Sequence, residues 1–147
     1  MSEYTHILAA VDFSAAADHV VSKASEIALR NNAKLSLLHV VEYMPPIDTA
    51  FDSMPAGDWG LDEDVLVDNA RQSLQKMSEH HMLKNTGLAV QLGLPKQEIV
   101  NYVAKHQCDL VVMSSHGRHG LSILLGSTAN AVLHAMPCDI LTIKVEQ

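Results

Sequence analysis

The chain has 147 residues, the length of one domain, and a folded chain of that length buries roughly 68–70% of its unfolded surface. It carries 17 acidic and 10 basic residues, a net charge of −7, and few aromatic residues. This composition excludes a nucleic-acid-binding surface built from basic side chains and stacked rings. No run reaches the ~20 consecutive apolar residues that a spanning helix needs, so we expect no membrane insertion.

The cysteine pattern bears on the cellular compartment. Cys108 and Cys138 are far apart in the sequence and belong to no CxxC or Cys/His zinc pattern. No secretory signal peptide is recognisable before them. We therefore expect a cytoplasmic protein whose thiols stay reduced.

The first elements are a strand and a helix. Residues 6–11 form an almost continuous apolar run, which is typical of a strand covered on both faces. Asp12 follows at the carboxyl end of this strand. Ser14 is the predicted N-cap of a helix with apolar residues at helical spacing, and the helix is expected to end near Asn31.

A second strand and helix follow. Residues 35–41 form the strand, and His39 within it is predicted to be a hydrogen-bonded core histidine rather than a catalytic residue. Residues 42–60 are rich in proline, glycine and aspartate and predict a long connection. A helix starting near Asp62 then has one apolar stripe, formed by Leu66, Ala70, Leu74, Met77 and His81.

The second half of the chain continues the alternation. Residues 88–92 predict a third strand, and Pro95 is suited to the first position of the helix that follows. Residues 110–113 predict a fourth strand, 126–136 a helix, and 140–145 a fifth strand.

Strands that alternate with helices predict one α/β domain over residues 1–147, with a doubly wound, five-stranded parallel sheet and helices on both faces. Ligands bind such sheets at strand carboxyl ends where the winding reverses. Asp12 and residues 114–117 lie at two such ends. The strand order 3-2-1-4-5 makes these ends neighbours, whereas the order 2-1-3-4-5 separates them.

The segment after the fourth strand has the chemistry of an anion site. Gly117 and Gly120 allow backbone conformations closed to other residues, and the helix that follows offers free amide hydrogens. A phosphate there would accept bonds from these amides and from the hydroxyls of Ser127 and Thr128, with Arg118 adding a mobile charge. The alternative is a surface loop in which Ser127 only caps a helix.

Four motifs together resemble the universal stress protein family over essentially the whole chain. They are Ala-Val-Asp-Phe-Ser at 10–14, Leu-His-Val at 38–40, Ser-His-Gly at 115–117 and Leu-Gly-Ser at 125–127. The resemblance implies the strand order 3-2-1-4-5, a regulatory role in the stress response, and a homodimer formed through the last strand, Ile140 to Val145.

In nucleotide-binding members of that family, a glycine, two residues, a second glycine, nine residues and then Gly-Ser/Thr hold the ATP phosphates. If this chain binds ATP, we expect Mg²⁺ or Mn²⁺ to be bound through those phosphates. Carried over, the resemblance assigns the ribose and adenine to Asp12 and the Val40 backbone, the phosphates to Gly117, Gly126 and Ser127, and the approach to Met113 and Ser114.

Two features differ from the family pattern. Ser114 stands where the first glycine is expected, and eight residues rather than nine separate Gly117 from Gly126. Two hypotheses therefore remain, namely an ATP-binding regulatory homodimer and a member that binds no nucleotide and works through dimerisation and docking to an unidentified protein. An enzyme is not expected beyond slow ATP hydrolysis, because there is no Walker motif and Asp12 lacks a second metal ligand.

Overall fold

The computed structural model describes residues 3–42, 63–114 and 136–144. These ranges contain five strands and three helices, and the two kinds of element alternate as far as the fourth strand. In order they are β1 (His6–Ala10), α1 (Ala17–Asn31), β2 (Lys34–Glu42), α2 (Glu63–His80), β3 (Gly87–Gly93), α3 (Pro95–His106), β4 (Leu110–Ser114) and β5 (Asp139–Ile143).

The strands form one parallel sheet in the order β3-β2-β1-β4-β5, as the sequence predicts. β1 lies at the centre, with Ala10 opposite Leu38 of β2 and Ala9 opposite Val112 of β4. The chain winds outward from β1 through β2 to β3 and then returns to the other side of β1. The winding therefore reverses between β1 and β4.

The core lies on both faces of the sheet. Every residue of β1 and β4 is buried, because each strand has neighbours on both sides and helices above and below. One face packs against α1 and α2 through residues that include Ile7, Ala9, Val20 and Leu74. The other packs against α3 through Leu8, Ala10, Val40, Ile99 and Val103. The predicted arrangement of helices on both faces is confirmed, and each buried aliphatic side chain contributes about 1.5–3 kcal/mol.

The start of α1 differs from the prediction that Ser14 is its N-cap. The helix begins at Ala17, and its cap residue Ala16 makes no side-chain capping bond. The Ser14 hydroxyl accepts the Ala16 amide at 3.3 Å, one residue before the helix begins. The Ser14 amide donates to Oδ1 of Asp12 at 3.0 Å, and Phe13 between them has a left-handed φ of 60°. The Asp12 carboxylate thus closes a tight turn ahead of the helix, and this turn delays the helix start by two residues.

Other boundaries agree more closely with the sequence. α1 ends at Asn31, as predicted, and Asn32 caps it in the left-handed conformation. Pro95 is the first residue of α3, also as predicted. The predicted connection over 43–60 and the body of the predicted helix over 126–135 lie outside the described residues. Within the described part of the chain, none of the helices combines the length and apolar character needed to cross a bilayer.

β1 and β4 are tied together at their amino ends by Asp109. Its Oδ2 accepts bonds from the backbone amide and the hydroxyl of Thr5 at 2.8 and 3.0 Å, and its Oδ1 accepts from the His6 amide at 3.0 Å. Burial alone would raise the pKa of Asp109, but these bonds to the ionised form outweigh it and lower the pKa below its usual value. The carboxylate therefore stabilises the fold as an anion.

His6 is buried next to this bridge. Its Nδ1 lies 3.1 Å from the His106 carbonyl oxygen, which only accepts, so Nδ1 carries the proton. Its Nε2 accepts from the Ser36 hydroxyl at 2.8 Å. Burial lowers the pKa of His6, and the positive charge of Lys34 acts in the same direction. His6 is therefore a neutral core histidine that links three segments.

Candidate functional site

Three neighbouring strands bring Asp12, Val40 and Ser114 to one edge of the sheet. Ala10 of β1 pairs with Leu38 of β2. Asp12 comes two residues after Ala10, and Val40 comes two residues after Leu38. Ser114, at the end of β4, lies two residues beyond Val112. Because the strands are parallel, all three residues lie at the carboxyl edge, where the winding of the sheet reverses.

The Asp12 carboxylate is oriented by its own turn. It is half-buried, and its Oδ1 accepts the Ser14 amide. The preceding residue, Val11, belongs to the core, and its amide donates to the Leu38 carbonyl at 2.9 Å. The side chain therefore projects from a backbone that β2 holds in place, and little ordering entropy remains to be lost when a ligand binds.

His39 supports the same turn from β2. Its Nδ1 lies 2.8 Å from the Val11 carbonyl oxygen, which only accepts, so Nδ1 donates. Its ring also packs against Phe13, with ring centres 4.3 Å apart. The predicted hydrogen-bonded role is confirmed, although the side chain is half-buried rather than fully buried. The sequence contained no signal that His39 would contact the Asp12 turn.

Val40, Met113 and Ser114 offer little side-chain surface. Their exposed fractions are 2%, 0% and 5%, and the first two side chains pack in the core on the α3 face. At Val40, the backbone is therefore the part that a ligand could contact. The other predicted site residues, Gly117, Arg118, Gly126, Ser127 and Thr128, lie outside the described residues, and their roles stay predictions.

The thiols are poorly suited to reactive chemistry. Cys108 and Cys138 are both free, and Cys108 is buried. Burial raises the pKa of Cys108 to about 12 and that of Cys138 to about 11, and nearby negative charge acts in the same direction. At neutral pH both groups are protonated, whereas the thiolate is the nucleophile and metal ligand.

The sequence of this chain is similar to a known protein family and to a known protein. The model of the "Universal stress protein family" matches residues 3–144. Universal stress protein A homolog 1 of Coxiella burnetii is 35% identical over 144 residues, which cover 98% of this chain and 99% of the relative.

Two solved structures share the fold. Universal stress protein UspA from Lactobacillus plantarum has a TM-score of 0.70 at 26% identity, covering 97% of this chain and 99% of that one. A universal stress protein from Archaeoglobus fulgidus, solved in complex with dAMP, has a TM-score of 0.62 at 18% identity, covering 97% of this chain and 100% of that one. The family model and the Coxiella relative show that the chain belongs to the universal stress protein family.

Proposed function

We propose that this chain is a cytoplasmic regulatory protein of the stress response that binds ATP at the carboxyl edge of β2, β1 and β4 and works as a homodimer. One observation carries the nucleotide proposal. Asp12, the Val40 backbone and Ser114 come together where the winding of the sheet reverses, which is the position at which doubly wound sheets bind ligands.

The groups at this edge match the parts of a nucleoside. The Asp12 carboxylate, held by its turn, is an acceptor for ribose hydroxyls. The Val40 backbone offers one donor and one acceptor, which suits the edge of adenine. The complex of the Archaeoglobus fulgidus relative with dAMP supports an adenine nucleotide as the ligand class.

The phosphates would extend toward residues 117–128. Gly117, Gly126 and Ser127 would bind them through backbone amides and a hydroxyl, with Thr128 and Arg118 nearby. Mg²⁺ or Mn²⁺ would enter with the phosphates that it neutralises. We propose binding without rapid turnover, because Asp12 alone supplies neither two metal ligands nor a positioned nucleophile.

The homodimer would form through β5, an edge strand of the sheet. Ile140, Leu141 and Ile143 are half-buried, whereas every residue of the neighbouring β4 is buried. An apolar edge strand with unpaired backbone groups is readily covered by a second chain. The presence or absence of bound nucleotide would then change the dimer surface that an unidentified protein partner contacts.

The test is thermal unfolding of nucleotide-free protein with Mg-ATP. Ligand at ~100 times its dissociation constant stabilises the folded state by about 2.7 kcal/mol, which raises Tm by roughly 5 °C for a domain of this size. We expect this rise in the wild type and in Asp68→Asn, which removes an exposed carboxylate of α2. Asp12→Asn keeps an acceptor for the Ser14 amide but loses the charge, and should show a smaller rise.

Two further ligands test which parts of ATP the site recognises. GTP should stabilise less, because guanine presents the opposite donor and acceptor pattern to the Val40 backbone. Phosphate alone should have little effect, because it lacks the base and ribose contacts. A Tm that millimolar Mg-ATP leaves unchanged would rule out the nucleotide site and favour the alternative, a family member that works through dimerisation and docking alone.

A further inference from the structure

Three potential metal ligands meet where the start of α1 approaches the end of α2. Asp18 lies in the first turn of α1, His80 is the last residue of α2, and His81 follows it. Each offers one ligand atom, and these atoms all lie within 4.8 Å of one another. Among the described residues, no other group of three or more His, Cys, Asp or Glu side chains meets this criterion.

His81 is the most firmly placed of the three. Its Nε2 lies 3.0 Å from Oδ1 of Asp18, and its side chain is only 15% exposed. The Asp18 side chain is 65% exposed and can rotate without disturbing the core. The pair therefore combines a ligand held by packing with one that can adjust.

His80 presents its ring to the same space. The ring centres of His80 and His81 are 5.1 Å apart, and the ring planes are nearly perpendicular, at 89°. Consecutive residues within a regular helix point in different directions. Here α2 ends at His80, and Met82 adopts a left-handed φ of 54° as the chain turns away. The two neighbouring imidazoles therefore contact each other at the end of α2.

We propose that Asp18, His80 and His81 form a binding site for a borderline divalent transition metal ion, represented by Zn²⁺, which bridges α1 and α2. Two imidazole nitrogens and one carboxylate oxygen are ligands that Zn²⁺ prefers, and three protein ligands leave the fourth position for water. Mg²⁺ and Ca²⁺ prefer oxygen ligands and are not selected.

The distances between the three ligand atoms allow a tetrahedral zinc site after small movements of the side chains. Bonds of ~2.0–2.1 Å in a tetrahedral site place ligand atoms roughly 3.3 Å apart. The Nε2–Oδ1 distance of 3.0 Å is already close to that value. The remaining separations, within 4.8 Å, need rotations of His80 and Asp18, both of which are exposed.

The local charge is mixed. A groove of about 520 Å³ is lined by Asp18, His80 and the cationic Lys76, together with Phe13 and Ser14. Asp18 attracts a cation, whereas Lys76 and the amino end of α1 oppose it. Replacing Lys76 with a neutral side chain should therefore tighten metal binding without changing a ligand.

The test is titration of EDTA-treated protein with ZnCl₂ by calorimetry. We expect one site in the wild type that weakens at least about tenfold in His80→Ala, His81→Ala and Asp18→Asn. His19→Ala is the matched control, because it removes an exposed histidine adjacent to Asp18 that is outside the cluster, and it should keep wild-type affinity. Lys76→Gln should bind more tightly, and MgCl₂ should give no binding heat.

A second measurement does not depend on how the variants fold. In wild-type protein with ¹⁵N-labelled histidine, Zn²⁺ should shift the ring signals of His80 and His81 and leave those of His19 unchanged. Zinc-induced shifts confined to other histidines, or equal zinc affinity in the wild type and in both cluster histidine variants, would overturn the proposal.

Discussion

Nδ1 of His39 donates a hydrogen bond to the carbonyl oxygen of Val11 over 2.8 Å. The Val11 amide donates in turn to Leu38, so β2 holds Val11 through both of its backbone groups. Asp12 is the next residue, and its carboxylate closes the turn that leads into α1. The position of Asp12, the residue proposed to bind the ribose, therefore depends on a histidine of the neighbouring strand.

The His39→Ala variant tests this dependence. It removes the donor to the Val11 carbonyl and the ring that packs against Phe13. We expect a loss of about 1–2 kcal/mol in the free energy of unfolding, measured with urea, because a backbone acceptor loses its side-chain partner. Mg-ATP affinity should fall as well, since the Asp12 turn loses a support.

The His39→Gln variant is the control, because its amide can donate to the same carbonyl. It should recover part of the stability and affinity that alanine loses. Wild-type values for both properties in His39→Ala would show that the contact does not position Asp12.

His6 predicts how stability depends on pH. Burial lowers the pKa of His6 below its usual value of 6.5, so the folded protein holds this ring neutral. Below about pH 6.5 the unfolded chain binds this proton more readily than the folded chain does. The stabilising contribution of His6 is therefore fully present above pH 6.5 and is lost as the pH falls through the folded pKa.

Urea unfolding at pH 7.5 and 5.5 measures this effect. The wild type should lose stability between the two pH values, and His6→Gln, which does not titrate, should lose less. His19→Gln, at an exposed position, should behave like the wild type. An equal pH dependence in the wild type and His6→Gln would contradict the assignment.

Asp109 should contribute to stability through its three hydrogen bonds to Thr5 and His6. Asp109→Ala leaves these donors without their acceptor, and we expect a loss of about 1–3 kcal/mol in urea unfolding. Asp109→Asn keeps one acceptor oxygen and should lose less, while Asp68→Ala, at an exposed position on α2, should have little effect. A neutral result for Asp109→Ala would show that water replaces the bridge.

The same carboxylate predicts part of the acid response. The pKa of Asp109 is lowered below its usual value of 3.8, so its contribution is present above that pH and is lost as the pH falls through the folded pKa. Below the folded pKa, the stability difference between the wild type and Asp109→Asn should shrink. A constant difference down to that pH would be inconsistent with this linkage.

The β5 edge predicts the assembly state. Leu141→Lys combined with Ile143→Lys should convert a dimer to a monomer in sedimentation experiments, because two charges would enter the proposed interface. Both residues also pack partly against the core, so circular dichroism must show that the fold is intact. Gln91→Lys, an exposed position on the opposite edge strand β3, is the matched control and should stay dimeric. A folded double variant that remains dimeric would exclude this interface.

The sequence alone determined the architecture, for local reasons. The continuous apolar runs at 6–11 and 110–113 indicated strands covered on both faces, and both strands are buried throughout. Pro95 marked a helix start through its restricted backbone. The strand order 3-2-1-4-5 was expected if Asp12 and Ser114 flank one crevice, and the resemblance to the family favoured that order over 2-1-3-4-5.

Only the tertiary structure decided which side chains meet. The Ser14 capping prediction was wrong by two residues, because the Ser14 hydroxyl and carbonyl accept the amides of Ala16 and Ala17 in a turn that precedes the helix. Asp18 and His81 are 63 positions apart, and Thr5 and Asp109 are 104 apart. Periodicity within a segment reports which face is buried. It carries no information on strand register or on where one helix ends beside another, and these two quantities bring distant residues together.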